Sequence, residues 1–320
     1  MAQPVNTYDS YDMKGVREDL SDVIFNIAPD ETPLLTACAK VSIGNTYYEW
    51  QTDSLRSAQE NAHIQGDDTI AEVVAPTTRL GNYTQNFKNA VTVSGTDIAL
   101  KKAGRGSEMQ YQVIKKTKEH KLDIERALFL NQARVGGSST EAPRLAGIPA
   151  WITSNVNFQT GGSPSGANPT GDGTNARTDN SVVTAFSQAK FDDVMQKIWV
   201  SGGKPDTVYL NAFQMNLALG FTGNNNQRSN ITAKDETVIK HMAVYVTPWG
   251  TVTWKPSRHI RPRDVIVVQD DMWAVGIARS TKTEELAKTG DNEKRQIVTE
   301  LTLVCRNQAA SGAVYDNTIV

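Results

Sequence analysis

The run Ser107-Glu-Met-Gln-Tyr-Gln-Val-Ile-Lys-Lys-Thr-Lys-Glu-His-Lys-Leu-Asp-Ile-Glu-Arg-Ala-Leu-Phe-Leu-Asn131 carries the strongest helical signal in the chain. Ile114, Thr117, Ile124, Ala127, Leu128 and Asn131 fall close to one face at 3.6 residues per turn, and Lys115, Lys118, Glu119 and Glu125 cover much of the rest. Glu108 supports the N-terminal end, and Gly136-Gly137 stops the pattern. At a rise of about 1.5 Å per residue such a helix spans roughly 35 to 40 Å, well beyond the usual length. The spacing predicts a structural spine, entered through a hinge at Gly104-Arg105-Gly106.

Upstream, residues 45–93 are rich in Tyr, Thr and Val at both ends (Tyr47, Tyr48, Trp50; Val91, Val93) and polar in the middle. That layout predicts a long β-hairpin with a hydrated tip. The tip carries Arg56, Glu60, His63, Asp67, Asp68, Glu72 and Arg79 among few apolar residues, so it has little to bury against its own domain and is expected to project. Residues 1–42 are turn-rich around one amphipathic piece at 16–27, where Val16, Leu20, Val23 and Ile24 recur at helical spacing. The Pro29 to Pro33 run breaks it, because proline removes a backbone donor and restricts the residue before it.

Downstream, residues 157–180 are almost entirely Gly, Ser, Thr, Asn and Pro, which predicts an exposed flexible loop leading to a second domain. That domain opens with a helix bearing Phe191, Val194, Met195, Ile198 and Trp199 on one face and Gly202-Gly203 as its stop. A short strand at 207–210 follows. Asn211 then caps a helix with Gln214 at the capping-box position and Gly220 at its end. The last third is β-rich, with short runs at 243–247, 252–254, 265–269, 273–277 and 295–305. In the last of these Ile297, Thr299, Leu301, Leu303 and Cys305 share one side, as in a half-buried strand.

Composition narrows the function. The 33 Lys plus Arg against 35 Asp plus Glu give a net charge of -2, against a protein whose main task is gripping phosphates. Residues 1–20 do not read as a secretory signal, and no run reaches a membrane-spanning length. Cys38 and Cys305 are far apart and in no metal-ligand spacing, which fits folding in a reducing cytoplasm.

No catalytic constellation emerges. Gly104-Arg105-Gly106 lacks the third glycine and the Lys-Ser/Thr of a phosphate loop. The histidines His63, His120, His241 and His259 form no His-x-x-x-His pair, and the carboxylates near His63, Asp67 and Asp68, read as solvated loop charges. Ser187 with Lys190 has Ser-x-x-Lys spacing without its supporting motifs, so it reads as a helix start. Asp172, Asn175 and Asp179 lack the spacing of a calcium loop. Lys115, Lys116, Lys118, Lys121 and Arg126 are interleaved with Glu108, Glu119, Asp123 and Glu125, the mixed pattern of a solvated or interfacial helix rather than a dedicated DNA site. The residues therefore point away from an enzyme and call for no metal or cofactor.

The order of these elements, an arm, a polar-tipped hairpin, a spine, a loop, an α/β unit and a returning sheet, resembles the Hong Kong 97-type capsid fold, of α+β class. Four stretches are similar to tailed-phage major capsid proteins: Leu122-Asp-Ile-Glu-Arg-Ala-Leu-Phe-Leu-Asn131, Gly203-Lys-Pro-Asp-Thr-Val-Tyr-Leu-Asn211, Trp249-Gly-Thr-Val-Thr-Trp254 and Arg263-Asp-Val-Ile-Val-Val268. The resemblance implies an N-terminal arm at 1–42, an extended hairpin loop at 43–92, a peripheral domain with the spine at 93–156 and its return sheet and C-terminus at 248–320, and an axial domain at 181–247, with 157–180 as the flexible loop. It implies a subunit that forms pentamers and hexamers closing into an icosahedral virion shell, assembled in the host cytoplasm. Implied partners are further copies of the chain, scaffolding, portal and decoration proteins, and packaged double-stranded DNA held without sequence recognition, with no membrane. Arg56, Glu60, Asp67, Asp68, Glu72 and Arg79 are candidates for setting register between subunits through charge complementarity. Two alternatives stand beside this reading: an encapsulin-like compartment shell that holds a cargo peptide, and a metal-dependent hydrolase using His63, Asp67 and Asp68.

Overall fold

The computed structural model describes residues 31–56, 58–66, 68, 74–102, 106–221 and 244–319. The amphipathic piece at 16–27, Gly104, Arg105 and His241 lie outside them. The first elements are a short helix α1 (Pro33–Ala37) and strand β1 (Ala39–Ser42). A two-stranded ribbon follows, β2 (Tyr47–Thr52) against β3 (Thr78–Tyr83), then β4 (Gln85–Ser94), the short helix α2 (Gly95–Ala99) and the spine α3 (Glu108–Phe129).

The spine forms where its periodicity places it, with Ser107 as N-cap accepting the Gln110 N–H. It ends at Phe129, before the Gly136-Gly137 pair, because the chain must turn under a close crossing. A Cβ on Gly147 would stand 1.9 Å from the Leu130 carbonyl oxygen, so only glycine fits there. The buried face also differs in part from the expected one. Met109, His120, Ile124, Ala127, Leu128 and Phe129 are buried, but Ile114 is 61% exposed. Glu125, expected on the solvent side, is fully buried beneath α1.

Beyond the spine come β5 (Val156–Asn157), helix α4 (Gln188–Val200), strand β6 (Thr207–Leu210) and helix α5 (Ala212–Ala218). The remaining strands are β7 (Val244–Thr247), β8 (Gly250–Pro256), β9 (Val265–Val268), β10 (Trp273–Leu286), β11 (Asn292–Cys305) and β12 (Gly312–Val314). Phe191, Val194, Met195 and Ile198 of α4 are buried as their spacing predicts, but Trp199 is exposed. The helix ends in a glycine cap: Gly202 takes a left-handed φ of 84° and the Gly203 N–H returns to the Ile198 carbonyl. At α5 the Asn211 side chain caps the Gln214 N–H, but the Gln214 amide does not close the box. It donates instead to the Pro262 and Thr318 carbonyls, pinning α5 to the final segment.

The β-rich third supplies two sheets. One is ordered β1-β10-β11-β4, with β1 parallel to β10 and the other pairings antiparallel. β10 runs to Leu286, well past the expected stop at 277, because its polar residues 279–285 are carried by pairing with β11 rather than by burial. β11 is not half-buried at its C-terminal end: Thr302 and Val304 are buried along with Leu301, Leu303 and Cys305, since the base of the β2–β3 ribbon covers the second face.

The other sheet is ordered β5-β12-β9-β6-β8-β7. Its central strands β6 and β9 are buried along their whole length, as a strand covered on both faces must be. Tyr209, Ile266, Val268, Ala313 and Tyr315 join the core beneath the spine, and Val208, Leu210, Val265, Val267 and Val314 join the core beneath α4 and α5. This sheet is therefore the wall shared by the two cores. It takes strands from both 181–247 and 248–320, so the division at 247 does not separate one sheet from the other.

Candidate assembly surfaces

The β2–β3 ribbon pairs Tyr47 with Tyr83, Trp50 with Leu80 and Thr52 with Thr78. Its base is anchored in the body. Trp50 packs against the fully buried Trp151 with ring centroids 5.4 Å apart and the planes tilted by 45°, and Asn82 donates to the Leu303 carbonyl and accepts from the Ala146 N–H. Arg134 donates to the Gly81 carbonyl and to the Tyr47 hydroxyl. The hairpin is shorter than 43–92 suggests: after Tyr83 the chain crosses at buried Thr84 into β4, which pairs with β11 and turns Val91 and Val93 toward Met109 of the spine.

Above this base the chain leaves the body. Every described residue from 53 to 79 is exposed. Arg56, Glu60, His63 and Asp68 are all on this projection, while Asp67 and Glu72 lie outside the described residues. Arg79 forms an ion pair with Glu49 diagonally across the ribbon, which raises the Arg79 pKa through that hydrogen bond, so this candidate also holds the ribbon's own register. The His63 Nε2 lies 2.6 Å from Asn61 Oδ1.

Sequence reasoning missed three residues here. Leu55, Ile64 and Val74 are 99%, 83% and 89% exposed. Their signal was present: large apolar side chains in a polar run, at a spacing that fits neither a strand nor a helix and so predicts no home in the chain's own core. Further apolar exposure occurs at Trp199 and Val200 on the end of α4 and at Val244 and Val246 on the edge strand β7.

The loop at 157–180 departs from its expected exposure. Arg177 is buried with its guanidinium 2.7 Å from the buried Asp316 carboxylate and stacked 4.2 Å over the Tyr315 ring. The Asn131 side chain, just past the spine, both accepts from the Arg177 N–H and donates to its carbonyl. One residue thus ties the segment just past the spine, the loop and the segment just past β12 together. Asp179 pairs with Arg261 and Arg263, and buried Asp264 lies 3.3 Å from Arg261. Burial pushes the Asp264 carboxyl up to about 7 against the pull of Arg261. Asp172, weighed as a calcium ligand, accepts from the hydroxyls of Thr170 and Thr174 and from the Thr174 N–H, a local turn. Ser187 is the N-cap of α4, and Lys190 turns away to Thr184 and the Ala185 carbonyl.

The same arrangement is known from whole chains. Residues 3–318 match the family described as SU10 major capsid protein. The chain belongs to that family. A curated relative, the major capsid protein of Escherichia phage Phieco32, is 28% identical over 345 residues, 98% of each chain. Among solved structures, the Cyanophage A-1(L) capsid asymmetric unit superposes with a TM-score of 0.65 at 13% identity, covering 97% of this chain and 98% of that one. The capsid of a native GTA particle superposes at 0.64 and 9% identity with the same coverage. At such identities these structures establish the fold alone, and it is the Hong Kong 97-type capsid fold. The protein is a major capsid protein of a tailed phage, and its family is a structural one rather than an enzyme family. Between the shell readings weighed from sequence, the phage head is the supported one.

Proposed function

We propose that this SU10-family subunit assembles with copies of itself into pentamers and hexamers, which close in the host cytoplasm into an icosahedral shell around packaged double-stranded DNA. The spine and the four-stranded sheet form its peripheral part. The α4–α5 unit on the outer face of the six-stranded sheet forms the axial part, facing the capsomer centre.

The observation that carries this reading is the projecting hairpin. Its base is locked into the core while its loop displays Leu55, Ile64 and Val74 to solvent. Isolated exposed apolar residues are ordinary, but three large ones on one projection with no body beneath them suit burial against a neighbour. Such a contact joins one patch to a different patch, and it makes rings when the rotation closes. The loop's carboxylates Asp53, Glu60, Asp67, Asp68 and Glu72 against Arg56 supply charge selectivity around the apolar anchors.

A triple Leu55→Ser, Ile64→Ser, Val74→Ser variant tests it. Because these side chains touch little in the subunit, the melting temperature of the unassembled chain is expected to stay within about 2 °C. Shell yield by sedimentation is expected to fall at least tenfold. Charge reversal at Asp67 and Asp68 is expected to lower it as well. Shells at wild-type yield from both variants would contradict the assignment.

A further inference from the structure

The four-stranded sheet ends on β4, and its two sides are built differently. On the far side β1 covers β10 only as far as Ile277, and the uncovered remainder is broken by register shifts and carries Arg279, Lys282, Glu284 and Glu285. Bulges and charges of this kind keep a free strand edge from pairing. β4 has neither device: its ten residues hold one unbroken register with β11, and Lys88 is their one charged side chain. Gly95, one step past β4 in the same register, donates its N–H to the Asp291 carbonyl, so the odd-numbered residues turn their N–H and C=O groups toward β11. The even-numbered residues turn theirs outward, as Thr84 does when its N–H reaches the Thr46 carbonyl. The outward groups of Asn86, Lys88, Ala90 and Thr92 have no backbone partner among the described residues. A hollow beneath Gln112, Lys116 and Glu119 of the spine runs beside them and leaves room for a strand.

We propose that β4 pairs with β4 of a second copy, antiparallel about a two-fold axis at Asn89, so that two four-stranded sheets become one of eight. Among the described residues no other free edge matches β4 in length and regularity: β1, β5 and β7 have four residues or fewer, β2 and β3 have six, and β10 is broken. Centred on Asn89, the four outward residues pair with one another, Asn86 with Thr92 and Lys88 with Ala90 of the copy, giving about eight N–H···O bonds. A centre at Lys88 would set lysine against lysine, and a centre at Ala90 would draw in Ser94, which already caps α2. On the spine side Phe87 comes opposite Val91 of the copy, extending both buried faces. The spines fit as well. His120 lies against Phe87 of β4 and Thr299 of β11, so the spine there runs midway between the two strands. With strands about 4.8 Å apart, its axis passes roughly 5 Å from the two-fold and its copy lies roughly 10 Å away, an ordinary packing distance for helices. The two spines run antiparallel, which turns Lys116 of one toward the acids Glu119 and Asp123 of the other along the hollow. The pairing does not rest on the shell reading; within a shell, a contact of this kind joins one ring to the next.

The test is a disulfide that only a two-fold can make. Asn89→Cys in the full chain meets its own copy as a non-hydrogen-bonded pair with Cα atoms about 4.5 Å apart, within disulfide reach. The native Cys38 and Cys305 are buried. At a concentration where wild type self-associates, mild oxidation is expected to turn most of Asn89→Cys into a dimer on a non-reducing gel. Thr92→Cys, about 20 Å from its own copy in this register, is expected to give at most about a tenth as much. Ala90→Pro removes an outward N–H where an edge strand tolerates proline, so the melting temperature of the dilute chain is expected to hold within about 3 °C while the dimer seen in sedimentation weakens at least tenfold. No dimer from Asn89→Cys, or an equal yield from Thr92→Cys, would overturn the inference. So would loss of the Asn89→Cys dimer on adding a synthetic peptide of residues 1–30, which would give the edge to that segment. Shells from wild type without the Asn89→Cys crosslink sink the pairing alone, and the crosslink without shells leaves the pairing standing and sinks the function proposed above.

Discussion

Glu125 supplies both of its oxygens to the first turn of α1, accepting the Leu34 and Leu35 N–H groups at 2.9 and 2.8 Å. Burial nevertheless raises its pKa to about 7 against those hydrogen bonds, from an ordinary 4.5. A raised folded-state pKa means stability that is fully present below pH 4.5 and lost as pH climbs through 7. The shift corresponds to about 3 kcal/mol. Glu125→Gln, neutral at every pH, is expected to flatten that part of the profile. In urea titrations at pH 5 and pH 8, wild type should lose more stability between the two than the variant, by an amount of that order, and parallel profiles would contradict it. Asp264 titrates in the same direction and is common to both proteins. Arg177 carries a sharper expectation. Arg177→Met leaves Asp316 buried beside Arg263 alone, and breaking a buried pair from one side costs about 3 to 5 kcal/mol. The urea midpoint reads it directly. Neither residue was legible in the sequence. Glu125 sits at a spacing that looks solvent-facing, and Arg177 is one base in a run of turn residues. Each is buried by a segment distant in the chain, which no local period encodes.

Among the elements, those whose burial is set by neighbours three or four residues away were the readable ones. The spine, α4 and the strand-helix pair β6–α5 all form where their spacing and caps place them. The ends and extents that failed depend on tertiary contacts. β10 continues through polar residues because β11 lies beside it, and the spine stops at Phe129 because residues 130 and 147 cross. That crossing has its own test. Gly147→Ala puts a methyl carbon against the Leu130 carbonyl oxygen, a backbone atom that cannot rotate away. Overpacking of this kind costs about 1 to 3 kcal/mol, so a fall in melting temperature is expected, and an unchanged one would show that the crossing is looser than described. For the hairpin, the sequence revealed a polar projection with the correct base at Tyr47 and Trp50. It did not reveal the return into β4, since residues 85–94 alternate as any ribbon strand does.

For the whole molecule, two cores share one sheet, and among the described residues the parts that leave this body include the hairpin loop, the end of α4 and the exposed faces of β7 and the spine. A subunit built this way keeps its own fold through the shared wall, and in the proposed assembly its projections meet its neighbours. Element order, with the four stretches at 122–131, 203–211, 249–254 and 263–268, was sufficient to point to the Hong Kong 97-type fold of tailed-phage major capsid proteins, and the family match is to one of these. The central claim is that the chain builds shells. The most direct measurement is expression of the full chain alone, concentration, and negative-stain electron microscopy beside sedimentation velocity. The account predicts capsomer rings or closed shells of uniform diameter, with fast-sedimenting material that the Leu55→Ser, Ile64→Ser, Val74→Ser variant lacks. A single slow boundary at every concentration and salt, with no particles on the grid, would contradict it.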